Sequence, residues 1–315
     1  MSGDEETVRV WRVNNGKQVA RMEGSYIYPL AASKNGKWIA AGTRAHVYVW
    51  DAKTYEQVFK YREGGWVRGV DFSPDSALLV TTSSEKAIIW NPATRKRVQT
   101  LSHEGAVIAA RYSPQGDRIA TATPNHVRVW DSSDGRLLVD IAVGVNQLFN
   151  KGLIWLNDHL LTTSSGKIKQ FDASTGSAVS EWPVPDSGRY SDIALLKYRR
   201  FIAYSTDNTV TFWDPLTHAQ LRAPSLIQHP QDVRSIALSA GDRFLAIAGD
   251  TGKIIIHDLS HINVSTMSRC FIAYLNNFLI LLVFVHGSQF SALLYIPFST
   301  NLTPAVVSLF TAMVT

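Results

Sequence analysis

The chain has 315 residues, 45% of them hydrophobic and 18% charged, with a formal net charge of +5. That is enough apolar sequence for a large core, and a positive balance so mild and so scattered argues against a nucleic-acid platform. The single cysteine, Cys270, excludes an intrachain disulfide, and the acidic start Met1-Ser2-Gly3-Asp4-Glu5-Glu6 is the reverse of a secretory leader, so a cytoplasmic or nuclear protein is expected.

Along the chain an aromatic residue keeps returning, followed by Asp or Asn in every copy after the first. Trp11 comes first, then Trp50/Asp51, Trp90/Asn91, Trp130/Asp131, Phe171/Asp172, Trp213/Asp214 and finally His257/Asp258 in the same slot. The spacings of 39, 40, 40, 41, 42 and 44 residues mean one supersecondary unit copied head to tail. Residues 7 to 24 supply the third and fourth strands of a first unit, five full units follow to about residue 228, and residues 233 to 258 give three strands of a seventh. The expectation is 25 strands up to Asp258.

The unit is clearest from Trp66 to Arg97. An apolar run (Val67, Val70, Phe72) precedes Ser73-Pro74-Asp75, a second run spans Leu78 to Thr82, Ala87-Ile88-Ile89-Trp90 forms a third, and a last run follows Thr94. Ser33-Lys34-Asn35-Gly36, Ser113-Pro114-Gln115-Gly116 and Ser239-Ala240-Gly241-Asp242 repeat the first turn. Pro presets φ there, and Gly or Asn tolerates positive φ. Four short runs of β-branched and aromatic residues with a turn every eight to twelve positions make antiparallel strands, here a to d, and leave no room for a helix. Small sheets with two apolar faces cover both by stacking radially, as a β-propeller does.

With the strand c segments Thr7-Val8-Arg9-Val10-Trp11, His46-Val47-Tyr48-Val49-Trp50-Asp51, His126-Val127-Arg128-Val129-Trp130-Asp131 and Thr209-Val210-Thr211-Phe212-Trp213-Asp214, the chain resembles the WD-repeat (WD40-type) propellers over roughly residues 4 to 260. The resemblance implies an all-β, seven-bladed propeller and a non-catalytic protein-interaction scaffold. It also implies a polar set bracing each Trp: an Asp in the b–c turn, a His before strand a, and a Ser or Thr on strand b. Only Asp207, with Glu5 as a substitute, stands in the Asp slot; Arg44, Ser84, Pro124, Ser165 and Thr251 fill it elsewhere, and the candidate histidines are His103 and His229. Few polar staples are therefore expected, and cohesion falls mainly to apolar burial.

Residues 1–263 thus read as the propeller and 264–315 as an uncharged tail, apart from Arg269, the last charged residue. Three readings of the tail stand side by side. Cys270 to Leu275, Phe278 to Val285 and Ala292 to Phe298 match the three missing strands of the ring. Alternatively, residues 270–298 anchor a membrane-associated adaptor, although 16 apolar residues at about 1.5 Å each fall short of a hydrocarbon core of roughly 30 Å. In the third reading the tail is not native sequence.

No phosphate-cradling Gly loop, metal-ligand spacing or nucleophile elbow occurs in the sequence, so neither an enzyme nor a cofactor is expected. The closest cluster, His257-Asp258 with Ser260 and His261, is a strand end followed by a turn. Arg95-Lys96-Arg97 is the tightest basic triplet and reads as a solvated hairpin. In an up-and-down blade, d–a loops and b–c turns emerge on one rim, which brings together Tyr26, Tyr28, Arg44, Trp66, Arg68, Lys86, Asn125, Lys167, Arg189, Tyr190, Asp207 and Arg234. Tyr, Trp and Arg dominate binding energy at protein interfaces, and arginines suit an acidic or phosphorylated partner segment. Packing between blades is the competing role for Tyr26, Tyr28 and Trp66.

Overall fold

A computed structural model describes residues 1–3, 6–27, 29–143, 152–164, 166–184, 192–196, 201–221, 227–239, 241–249, 253–261, 269–275, 278–284 and 290–297. The chain divides into two units, Met1–Leu259 and Ser260–Thr315. The first is a seven-bladed, all-β propeller made of seven antiparallel sheets in chain order. In the second, Arg269–Leu275, Phe278–Phe284 and Phe290–Pro297 pair as one antiparallel sheet. Among the described residues no helix is long and apolar enough to cross a membrane.

Two features of the strand layout depart from the sequence expectation. Ser2–Gly3 pairs with Thr7–Trp11, so the first blade has a third strand where two were expected. A two-residue strand carries no periodicity to read; it is held because the Trp11 indole N–H donates to Ser2 Oγ at 2.8 Å, and because a Cβ on Gly3 would come within 2.4 Å of Ile27. In the sixth blade, strand d comes in two pieces, Ala219–Gln220 and Ile227–Gln228, both paired with Thr209–Asp214.

The recurring residues are explained by their turns. At the a–b turns of the second, third and fourth blades, Ser33, Ser73 and Ser113, and in the seventh Ser239, offer a carbonyl to the amide three residues on, at 2.8 to 3.0 Å. Each Ser hydroxyl also accepts the amide five residues on, that of Trp38, Leu78, Arg118 or Phe244. The residue that closes the turn, Gly36, Ser76, Gly116 or Asp242, has φ between 54° and 83°. In the second to sixth blades the Asp or Asn after the aromatic residue is likewise a turn cap. Oδ1 of Asp51, Asn91, Asp131, Asp172 and Asp214 accepts backbone amides of the c–d turn at 2.8 to 3.0 Å. The aromatic residue itself marks a register shift against strand d in each of the first five blades.

Period-two alternation then sorts the core. In the third blade, Ile88 and Trp90 face the second blade and pack with Val47, Val49 and Trp38, while Ala87 and Ile89 face the fourth and pack with Ala110, Ile119 and Trp130. Both faces are covered, so strand c reads as a continuous apolar run. Neighbouring blades are also tied by carboxylates: Asp71 accepts the Tyr112 amide at 2.9 Å, and Asp192 accepts the Ile236 amide at 3.1 Å and the Ser235 hydroxyl at 2.9 Å.

The polar bracing of the tryptophans is better developed than the sequence implied. In the fourth blade the Trp130 indole donates to Thr121 Oγ1 at 2.8 Å, and His103 Nε2 lies 2.8 Å from the same hydroxyl. His103 Nδ1 stands 3.1 Å from the Leu101 carbonyl, which can only accept, so the proton sits on Nδ1 and Nε2 accepts from Thr121. Burial drives the His103 pKa down to about 4. In the third blade the same scheme is built with a carboxylate: Trp90 donates to Thr81 Oγ1 at 2.9 Å, and Thr81 donates to Glu63 Oε1 at 2.5 Å. Glu63 occupies the place of His103 one repeat earlier and is 2% exposed. Burial raises its pKa, against the opposing pull of the Thr81 bond and the Lys86 charge.

Candidate functional site

The rim sector over the first three blades is built by three short connections. The b–c turn of the second blade, between Trp38–Gly42 and His46–Asp51, is closed by Thr43, whose amide donates to the His46 carbonyl at 2.9 Å and whose Oγ1 accepts the His46 amide at 3.0 Å. That leaves Arg44 pointing into solvent. The next connection, from Gln57–Arg62 to Gly69–Phe72, is pinned by Val67: its amide donates to the Thr43 carbonyl at 2.9 Å and its side chain is fully buried. A Cβ on Gly42 would meet Val67 at 2.4 Å, so glycine is what allows this approach. The residues flanking the anchor, Trp66 and Arg68, are half-buried and exposed respectively. Tyr26, on the connection from Gln18–Glu23 to Leu30–Ala32, has φ 52° and is 39% exposed.

These four side chains alternate ring and guanidinium. Arg44 Cζ lies 3.8 Å from the centre of the Tyr26 ring and 5.8 Å from that of Trp66, and Arg68 Cζ lies 5.1 Å from the Trp66 ring centre. Among the described residues, no carboxylate forms an ion pair with either guanidinium. A guanidinium lying over a ring face keeps its in-plane N–H donors directed outwards, so the arrangement offers two planar donor forks around one indole. The rings of Tyr26 and Trp66 thus serve as supports for arginines, a role that neither simple packing nor simple exposure describes.

The rest of the rim set does not join this cluster. Lys167 pairs with Glu181 at 2.7 Å. Lys86, the first residue of strand c in the third blade, acts on the Glu63 carboxylate. Asn125 and Asp207 are exposed in the b–c turns of the fourth and sixth blades. Arg234, expected in a loop, is the second residue of the strand Val233–Leu238 and half-buried. Tyr28, Arg189 and Tyr190 lie outside the described residues, as do Glu5, Ser165 and Thr251. Elsewhere, Asp258 is taken up by Arg243 at 3.1 Å, and Lys96 and Arg97 open the strand Lys96–Ser102 as exposed residues. No group of three or more His, Cys, Asp or Glu among the described residues could hold a metal ion.

Comparison with known proteins bears on the same blades. The family described as WD domain, G-beta repeat matches residues 55–91 and 95–131, each running from strand d of one blade through strand c of the next, across the second to fourth blades. Over 145 residues, 43% of the chain, the sequence is 28% identical to Periodic tryptophan protein 2 of Arabidopsis thaliana, covering 16% of that protein. It is 30% identical over 122 residues to WD repeat-containing protein 1 of Bos taurus (36% of this chain, 20% of that one). It is 24% identical over 141 residues to Small ribosomal subunit protein RACK1y of Oryza sativa subsp. japonica (41% and 42%). The match spans less than half the length of each relative.

Proposed function

We propose that this chain, a WD-repeat β-propeller, is a non-catalytic scaffold that holds a protein partner, and that the rim sector of Tyr26, Arg44, Trp66 and Arg68 takes an acidic segment of that partner. The observation that carries the reading is the alternation of rings and guanidinium groups, with both guanidinium groups exposed and neither ion-paired among the described residues. Two like charges held beside one indole repel each other, and an incoming anion relieves that repulsion. Aromatic and Arg side chains are also the types that most often carry interface energy, and stacking keeps the ordering entropy on binding low. That the WD-repeat relatives include a protein named as part of the small ribosomal subunit agrees with a role in assemblies.

Replacement of Trp66 and Arg68 by Ala should weaken binding of a co-purified partner at least about tenfold, because each is expected to act as a hot spot. Arg68 is exposed and Trp66 half-buried on a turn held by the buried Val67, so the melting temperature should fall by no more than a few degrees. Calorimetric titration of the full chain checks the first point and a thermal melt the second. Unchanged affinity, or a large fall in melting temperature, contradicts the assignment.

A further inference from the structure

Resting on that reading, we infer that the Arg44–Trp66–Arg68 sector recognises a phosphorylated side chain of the partner segment in preference to a carboxylate. The geometry favours it in three ways. Arg44 and Arg68 both lie around the Trp66 ring, with Cζ 5.8 and 5.1 Å from its centre, so one anion seated beside the indole can meet donors from both. A carboxylate has two coplanar oxygens and is filled by a single bidentate fork, whereas a phosphate carries about −1.5 to −2 charge and three acceptor oxygens set tetrahedrally, so it can accept two forks from different directions. The two positive charges also match the phosphate dianion in number. Finally, Arg44 rests against the Tyr26 ring at 3.8 Å and the loop is anchored by the buried Val67, so part of the ordering is in place before the ligand arrives.

Neighbouring charges sharpen the fit. Glu63, the acid nearest in sequence to Trp66, is buried and turned into the bracing of Trp90, leaving the sector without a competing carboxylate from its own loop. Lysine would not substitute for either arginine here, since an ammonium neither stacks as a plane nor presents a fork.

The test uses the full chain, immobilised, and three degenerate peptide libraries of equal length: one centred on phosphoserine or phosphothreonine, the same library unphosphorylated, and one with Glu at the central position. The phosphorylated library should be retained at least about tenfold better than the unphosphorylated one and clearly above the Glu library. Retention should fall to the unphosphorylated level in Arg44→Ala/Arg68→Ala. It should fall most of the way in Arg44→Lys/Arg68→Lys, which keeps charge but loses the planar forks. Circular dichroism melts of both variants should match the unaltered chain. If the Glu library is retained as well as the phosphorylated one and both depend on the arginines, the phosphate inference is overturned while the acidic-segment reading stands. If phosphopeptides bind equally well to the Ala variant, the site is elsewhere and the inference fails. If no library is retained above the unphosphorylated control, the inference and the acidic-segment reading fall together.

Discussion

Replacing Thr81 by Val is expected to cost the propeller about 2–4 kcal/mol, because one isosteric change removes a hydrogen bond from each of two buried groups. Thr81 is fully buried; its hydroxyl accepts from the Trp90 indole and donates to Glu63, which are themselves 2% exposed. Valine fills the space and supplies neither bond, so the indole N–H loses its acceptor and the Glu63 carboxylate keeps only the long bond from Ser83 Oγ at 3.4 Å, each loss costing about 1–3 kcal/mol. Proton uptake limits the carboxylate's share: Glu63 already has a raised pKa, and without Thr81 it should be raised further. The destabilisation should therefore be larger at pH 8 than at pH 5. For a domain of this size it corresponds to a fall in melting temperature of about 5–15 °C, read by calorimetry. Thr81→Ser keeps the hydroxyl and should lose about 1 kcal/mol. A change below about 1 kcal/mol in Thr81→Val would show that the bracing of Trp90 is energetically idle. Thr121→Val should behave similarly in the fourth blade, and the two losses should add, since the triads share no atom.

The contrast between those two blades shows where the sequence was legible. The aromatic cadence marks the blades because, from the second to the sixth, the aromatic residue packs against the preceding blade and the Asp or Asn after it caps a turn; both needs are local and recur at fixed offsets. Glu63 escapes a reading by residue type, because the bracing set of the resembled family has His in that slot. Its position, 40 residues before His103, carried the signal, and a carboxylate accepts from the strand b hydroxyl as readily as an imidazole does. In the seventh blade the set dissolves: Ile247 stands in the strand where Thr81 and Thr121 stand, and His257 replaces the tryptophan. The rim was legible in composition only. Tyr26, Arg44, Trp66 and Arg68 come from three connections, and their alternation depends on Val67 turning inward and on Gly42 admitting it, neither of which a period reveals. Lys86 and Lys167 are the first residues of their strands, and Arg234 is the second residue of a strand that starts at Val233, where the sequence marks it.

The same triads give the propeller an acid sensitivity with a definite window. His103 titrates near pH 6.5 when unfolded and near 4 when folded, so folding favours its neutral form. The stability it contributes is complete above about pH 6.5 and drains as pH falls towards 4, by on the order of 2 kcal/mol after allowance for solvent at its edge. Glu63 works in the opposite sense. Its raised pKa means that folding favours the protonated form, so acid relieves the third blade while it burdens the fourth. The turn carboxylates Asp51, Asp131 and Asp172 have pKa values lowered by hydrogen bonds from their own turns, so their loss falls at lower pH, below about 4. Between pH 6.5 and 4.5 the melting temperature should therefore fall, and His103→Gln, which cannot titrate, should flatten that fall. Glu63→Gln should steepen it, because the compensating carboxylate is gone. Thermal melts of the three chains across this range decide the matter, and a His103→Gln profile parallel to the unaltered one would place the acid sensitivity elsewhere.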